Sequence, residues 1–546
     1  SQVNAIDYQS HIAALFLAIL SIGLTLKAVL SKTQVAKIAW IILSIFAGLA
    51  ALSQMEYYIG IEVFRFSCIA VLMWRSGELR FMDKVRSIIL KWIPFSLIPV
   101  TFMLWRIFLF ETERRATDIG SQLGQLFSSP LTGLWWFTYL AQDFFNVLLA
   151  PWVIPFSMFV LPMRLQNQLM GFGLAALAAV LFIWSIRGKS ETEPVSSPRE
   201  MREQSIVGVL SILGGLGPVI AANRHVVLPD YSRYTLIASI GAVILLSAFI
   251  QQLSSARLRN SFAGMLIAIS VLTHYGNSVK TASDTEVIQN FWWQVAWRVP
   301  QIENGTTLSV TYPDVAIQED YFIWGAANHI YYPEPDTSND LQVQLPALVL
   351  NDYTVSRILA ERGEDSYRKR GGVLVINEYD KVLILTQADR DSCVRVLNGN
   401  SPDLSAYYQH RVMVVAPYSK LDTVIIKKDM PVPTKVIFGS EPLHEWCYYY
   451  QKADLARQQG SWDEVARLGD EAQSLELHPN DQIEWMPFLQ AYAFLGNEKQ
   501  VKELSTRINT VLFYSQQACR NLNAMPERGY PLTAEMQAYV DELFCQ

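Results

Sequence analysis

The chain has 546 residues, of which 51% are hydrophobic, 12% aromatic and only 17% charged, against about a quarter charged in ordinary soluble proteins. A formal net charge of −6 argues against general nucleic-acid binding, which needs a basic surface. The five cysteines, at 68, 393, 447, 519 and 545, show no metal-ligand spacing such as CxxC and cannot all pair within one chain, so a disulfide framework is not expected.

The shortage of charge is uneven. Residues 8–275 are mostly apolar runs, whereas residues 276–546 read as soluble protein. The expected fold is an α-helical polytopic membrane domain (1–277), an interfacial helix or linker (278–304), a small β-rich α+β extramembrane domain (305–440) and a C-terminal helical-repeat segment (441–546).

In chain order, candidate spans are 11–30, 36–53, 56–74, 90–110, 132–161, 168–186, 205–222, 234–252 and 261–275. Arg75, Arg80, Lys84, Arg86 and Lys91 mark a cytoplasmic loop; Arg187, Lys189, Arg199 and Arg202 mark a second, and Arg257 and Arg259 a third. The mixed-sign loop 112–130 reads as external. A single crossing by 132–161 puts the 187–203 loop outside, against its charge. Pro151, Pro155 and Pro162 interrupt that stretch, so a re-entrant piece or two short helices restores parity. Nine or ten crossings are expected, with the C-terminal half outside.

Charged residues within spans are costly and often functional. Glu62 and Arg65 lie three residues apart, so they face each other on one helix, either as a self-neutralising pair or as the wall of an outward-facing cavity. Glu56 begins the same span, and Arg106 and Glu111 end another near the same wall. Asp143 and Asn146 need a protein-facing environment. The elbow NRHVVLPDYSR joins two spans and carries Arg224, His225, Asp230 and Arg233. Cations crowded there suit an anionic headgroup or lipid-linked phosphate; interfacial anchoring by Arg and Tyr is the alternative.

Past the last span, Phe291, Trp292, Trp293 and Trp297 cluster beside Arg298 and read as an aromatic girdle docked at the bilayer interface. TTLSVTY, GGVLVIN, KVLILTQ, CVRVLNG, HRVMVVAP and DTVIIKK read as strands, with a hairpin turn at NEYD. No Gly-rich phosphate loop, HExxH or GxSxG occurs, and His329 and His410 are isolated. From Leu443 the period is helical. Ala453, Ala456, Gly460, Trp462, Ala466 and Pro479, then Ala491, Ala493, Gly496 and Val501, follow the logic of two tetratricopeptide-like units, with a 36-residue spacing between Gly460 and Gly496.

The bundle, the segment NRHVVLPDYSRYTLIASIG, the external C-terminal domain and the tetratricopeptide-like helices resemble bacterial polytopic proteins of the protein-mannosyltransferase-like type, in the GT-C class of membrane glycosyltransferases. QNFWWQVAWRVPQIENGTTLSV and EWCYYYQKADLARQQGSWDEVARLGDEA resemble uncharacterised members of such bacterial families. The resemblance covers most of the chain in architecture, through motifs of low specificity. It implies a protein of the bacterial cytoplasmic membrane that transfers a sugar from a polyprenyl-phosphate carrier on the outer face. Basic residues hold the phosphate, for which Arg224, His225 and Arg233 fit, with Arg65 and Asp230 as further cavity residues. An acid acts as general base or ligand to a divalent cation. The class places that acid between the first two spans, but here the connection is SKTQVAK, which has none. Either the relevant loop lies upstream of Ser1, or Asp7, Glu56 or Glu62 takes the role, or the chain is a non-catalytic scaffold. Membrane lipids and the lipid-linked sugar are the expected partners, with a protein partner on the helical repeats and no nucleic acid.

Overall fold

The computed structural model describes residues 5–75, 80–110, 124, 129–186, 197–229, 231–315, 319–334, 342–360, 363–368 and 373–545, without the side chains of 5–8 and of Pro130. The chain forms two compact units, Ser1–Thr281 and Ala282–Gln546.

The first unit is helical: α1 Ala5–Leu30, α2 Gln34–Gln54, a 3-10 turn Glu56–Gly60 leading into α3 Ile61–Arg75, α4 Phe81–Phe108, α5 Pro130–Leu148, α6 Ala150–Phe159, α7 Leu165–Ile186, α8 Pro198–Ala221, a 3-10 turn Ser232–Thr235 leading into α9 Leu236–Gln251, and α10 Ala256–Arg298, which continues into the second unit. Among the described residues, eight helices are long and apolar enough to cross a membrane. The sequence led to nine or ten. The difference lies at 132–161, which breaks into α5 and α6 where Leu149 leaves the helix and Pro151 opens the next one. Arg75 donates to Glu203 over 2.6 Å, so the start of α8 shares a bundle end with the end of α3. The packing of Ile183 near Gly264 and of Tyr275 near Gly171 runs α7 antiparallel to α10. Arg75, Lys84, Arg199, Arg202, Arg257 and Arg259 therefore gather at one end of the bundle. Arg187, Lys189, Glu111 and nearly all of the 112–130 loop lie outside the described residues.

Small residues let the backbones approach where α3, α8 and α9 meet. A methyl group on Gly60 would lie 2.2 Å from the Gly214 carbonyl oxygen, and one on Gly241 would lie 2.4 Å from that of Gly208.

The second unit carries the end of α10, then β1 Gln301–Ile302, β2 Thr307–Thr311, α11 Tyr321–Tyr331, β3 Ala347–Val349, α12 Asp352–Leu359, β4 Glu364–Arg368, β5 Leu374–Glu378, β6 Val382–Thr386, β7 Arg395–Val396, α13 His410–Val415, β8 Val424–Ile425 and α14 Lys435–Phe438. Its main sheet has the order β3-β2-β6-β7, with β2 parallel to both β3 and β6. All five residues of β6 are buried, as expected for a parallel strand covered on both faces. NEYD is not a hairpin. β5 pairs with β4, and β6 joins the other sheet, so the turn passes the chain between sheets.

The aromatic cluster is not an interfacial girdle. Phe291 and Trp292 are fully buried, and Trp293 and Trp297 nearly so, within the core of this unit. Each indole N–H has a partner: Tyr312 at 2.7 Å, the Phe438 carbonyl at 3.0 Å and Glu441 at 2.9 Å for Trp292, Trp293 and Trp297 respectively. An amphipathic ring satisfied inside protein has no need of the headgroup layer.

Six helices complete the chain: α15 Trp446–Gln458, α16 Trp462–Ser474, α17 Met486–Phe494, α18 Glu498–Ile508, α19 Leu512–Asn523 and α20 Ala534–Phe544. Their aromatic and small side chains share one core, and Gly460 and Gly496 both adopt positive φ where a helix ends. Gly469 brings α16 against Phe488 and Tyr492 of α17. Four of the five cysteines pair, Cys393 with Cys447 and Cys519 with Cys545, and Cys68 is free. The parity argument missed this: an odd count requires only one unpaired thiol.

Candidate functional site

The elbow begins where α8 ends. Asn223 adopts φ +54, a left-handed conformation that asparagine tolerates better than most residues. Its N–H donates to the Ile220 carbonyl at 2.8 Å, and the Arg224 N–H reaches back to Val219 at 3.1 Å. This 6→1 and 5→2 pair turns the chain over the helix end. Val226 is then buried among Val147, Ile212, Leu216, Val219 and Tyr234. Arg224 and His225 are thus held between two fixed points.

Beside them lies a cavity of about 120 Å³ lined by Trp136 and Tyr139 of α5, Ile220 of α8, and Asn223, Arg224 and His225. That volume approaches the ~150 Å³ that admits a benzene-sized guest, enough for a single phosphoryl group. The His225 ring stacks on Tyr139 at 5.1 Å, and its Nδ1 is buried with no hydrogen-bond partner among the described residues. Arg224 donates to the Tyr234 hydroxyl, and no carboxylate pairs with it among the described residues. The C-terminus of α8 carries roughly half a negative charge, which the Arg224 guanidinium offsets.

The predicted residues are placed as follows. Arg224 and His225 come together on the cavity wall. Arg233 does not line it. Its guanidinium lies over Tyr231 and Tyr234, both at 5.2 Å, so it shares the Tyr234 ring with Arg224. Tyr57 donates to the Arg233 carbonyl at 3.3 Å and meets Tyr234 edge-on. Glu56, next to Tyr57, is half-exposed and pairs with buried Arg106 at 3.1 Å. Glu62 is apart from the cavity: both its oxygens take Arg65, at 2.8 and 3.0 Å. The rest of the Arg65 fork is bonded to Ser21, Thr25 and Ser44. Asp7 belongs to α1, but its side chain lies outside the described residues, as does Asp230 altogether.

The acid beside the elbow is Asp143, which sequence reasoning marked as needing protein around it but did not join to residues some eighty positions away. It is fully buried, accepts the Val226 N–H at 2.9 Å, and interacts electrostatically with His225. Two polar residues three apart in an apolar helix were the available signal.

The described residues do not fit a divalent cation at the cavity. Hard cations take six or more oxygen ligands, carboxylates among them, whereas this wall offers one amide, one phenol, one imidazole and a guanidinium and no carboxylate. Cys393, Cys447 and Glu484 also converge, but the sulfurs are bonded to each other, and Glu484 already accepts from the Cys393 N–H and the Trp446 indole. Without thiolates this is not a metal centre.

Comparison with protein-family models, with curated proteins and with solved structures finds no match to this chain.

Proposed function

We propose that this chain is a GT-C-like membrane glycosyltransferase of the bacterial cytoplasmic membrane, taking a sugar from a polyprenyl-phosphate carrier at its outer face. The cavity beneath Arg224 and His225 carries the reading. A leaving phosphate needs preorganised cations. Trp136 and Tyr139 supply the apolar wall, Arg224 the charge and His225 a buried ring nitrogen with no partner among the described residues, and Arg233 adds to the field through the shared Tyr234 ring. Of the three acids nominated from sequence, Glu56 is the one with an exposed carboxylate among the described side chains, and we assign it the proton-accepting role.

Two observations support the sidedness. The basic residues gather at the opposite end of the bundle, which is the cytoplasmic end by the positive-inside rule. The C-terminal unit holds two disulfides, which persist in oxidising compartments.

The test is reconstitution in lipid nanodiscs with a short-chain polyprenyl phosphate and its glycosylated form. Binding is read from Trp136 fluorescence, against a Trp136→Phe control, and transfer by mass spectrometry. Wild type binding both lipids, with loss of affinity in Arg224→Ala and His225→Ala, supports the reading. A folded wild type that binds neither defeats it.

The second reading is a non-catalytic scaffold whose tetratricopeptide-like helices receive a protein partner. It is favoured by the closed, largely buried ion networks of the C-terminal unit, Arg298–Asp454–Arg457–Asp403 and Arg395–Asp481–Glu484, which suit a rigid body. Lipid-phosphate binding without transfer to any acceptor favours it over the enzyme.

A further inference from the structure

The elbow is gripped from outside itself. Asp143 Oδ2 accepts the Val226 N–H at 2.9 Å, and Asn146 Nδ2 donates to the Val226 carbonyl at 3.3 Å. Both polar atoms of one residue are taken by two side chains one helical turn apart on α5, some eighty residues away in sequence. Asn146 also reaches Asp143 Oδ1 at 3.5 Å, so the two side chains brace each other. The Val226 side chain is meanwhile sunk in the apolar core.

We propose that Asp143 and Asn146 are positioning residues that clamp Val226 and so set Arg224 and His225 over the cavity. The proposal rests on reading the cavity as a phosphate site. Upstream, the Arg224 N–H is fixed on Val219; downstream, the Val226 N–H is fixed on Asp143. Only Arg224 and His225 bridge these two anchors, so the clamp controls where both side chains stand.

A merely structural role for Asp143 is the competing explanation, and the choice of residue argues against it. Satisfying one loop amide requires only a neutral acceptor, as a glutamine or serine provides. A fully buried carboxylate is costly unless its charge is used. Here that carboxylate interacts electrostatically with His225 on the cavity wall.

The experiment uses the full chain in nanodiscs, with Asp143→Ala, Asp143→Asn and Asn146→Ala. Asn at 143 keeps an acceptor oxygen and discards the charge. Hydrogen exchange over residues 224–228 is measured first, without ligand. Affinity is then measured for inorganic phosphate and, separately, for a short-chain polyprenyl phosphate. Asp143→Ala is expected to speed exchange at Val226 by at least about 10-fold, with Asp143→Asn close to wild type, since a buried hydrogen bond is lost only in the first. Affinity for the phosphate probe is expected to fall by about 10-fold or more in Asp143→Ala, and by less in Asp143→Asn. Tighter binding of the lipid than of inorganic phosphate marks a lipid headgroup as the source; equal affinity marks free phosphate.

Unchanged exchange in Asp143→Ala overturns the clamp. Faster exchange with unchanged affinity overturns its positioning role. A wild type blind to both phosphates, with exchange still sensitive to Asp143, strikes the phosphate reading and leaves the clamp standing. If Asp143→Ala does not fold, Asn146→Ala carries the same test through the weaker arm.

Discussion

Arg65 holds both oxygens of Glu62 at 2.8 and 3.0 Å, and neither side chain retains appreciable contact with solvent. The pair is closed within α3, and α1 and α2 supply the remaining acceptors for the guanidinium. Breaking one half leaves a buried charge alone; removing both leaves the Ser21, Thr25 and Ser44 hydroxyls bonded to one another in an otherwise apolar interior.

Glu62→Gln or Arg65→Leu alone is therefore expected to destabilise the chain by roughly 3–5 kcal/mol, whereas the double change Glu62→Leu with Arg65→Leu costs much less. Thermal unfolding in detergent checks this. A double variant as unstable as Arg65→Leu, or sugar transfer lost in a well-folded double variant, would show the pair to be more than internal packing.

Arg224→Ala and His225→Ala are expected to weaken phosphate-lipid binding by roughly 10- to 100-fold, and Arg224→Lys by less, because a lysine keeps the charge without the planar fork. Arg233→Ala, one ring removed from the cavity, is expected to fall between wild type and Arg224→Ala. Isothermal titration in nanodiscs reads all four. Equal effects at 224 and 233 would contradict the assigned geometry.

Gly60→Ala drives a methyl group to 2.2 Å from the Gly214 carbonyl oxygen, so α3 and α8 must separate. The expected loss is on the order of 2 kcal/mol, the usual scale of overpacking. Gly217→Ala meets nothing within 4 Å and is expected to be neutral or slightly stabilising. Comparing melting temperatures of the two variants decides it.

Burial pushes the Glu484 carboxyl from its ordinary 4.5 up to about 7, and neighbouring Asp481 adds to this against the pull of Arg395. The folded chain therefore holds this proton more tightly than the unfolded chain. The resulting stability is complete below about pH 4.5 and is lost as pH rises through about 7. Burial acts to raise Asp481 and Asp454 too, but Arg395 for the first, and Arg298 and Arg457 for the second, hold them below the usual range. Their stabilisation is instead lost as pH falls. Subtracting the unfolding curve of Glu484→Gln from wild type at pH 5 to 8 isolates the first effect. The difference is expected to shrink by about 3 kcal/mol across that window. A flat difference would refute the assignment.

The disulfides close loops across 54 and 26 residues of sequence. Chain entropy puts their stabilisation at roughly 4 and roughly 3.5 kcal/mol. Thiol titration of the denatured, unreduced protein is expected to find one reactive cysteine, Cys68, and five after reduction. Five before reduction would remove the support for an oxidising compartment.

Three gross features followed from the sequence. Apolar runs of bilayer length can bury their backbone polar groups only as helices, so α1–α4 and α7–α9 were legible from hydropathy alone. The polar elbow between α8 and α9 stood out because three basic residues interrupt apolar sequence, and the change of class near residue 280 showed in composition. Other features were decided by contacts between residues far apart in the chain. Whether the Trp292 cluster meets lipid or protein depends on Tyr312, Phe438 and Glu441, and a local window cannot see them. The pairing of Cys393 with Cys447 depends on bringing two distant segments within disulfide reach. Asp143 was visible as an acid in an apolar helix, but nothing nearby in sequence points to Val226. Periodicity records which face of an element avoids water, and it carries no information about which distant element covers that face. The tertiary fold alone put a carboxylate and an amide against the elbow and closed Glu62 away from it.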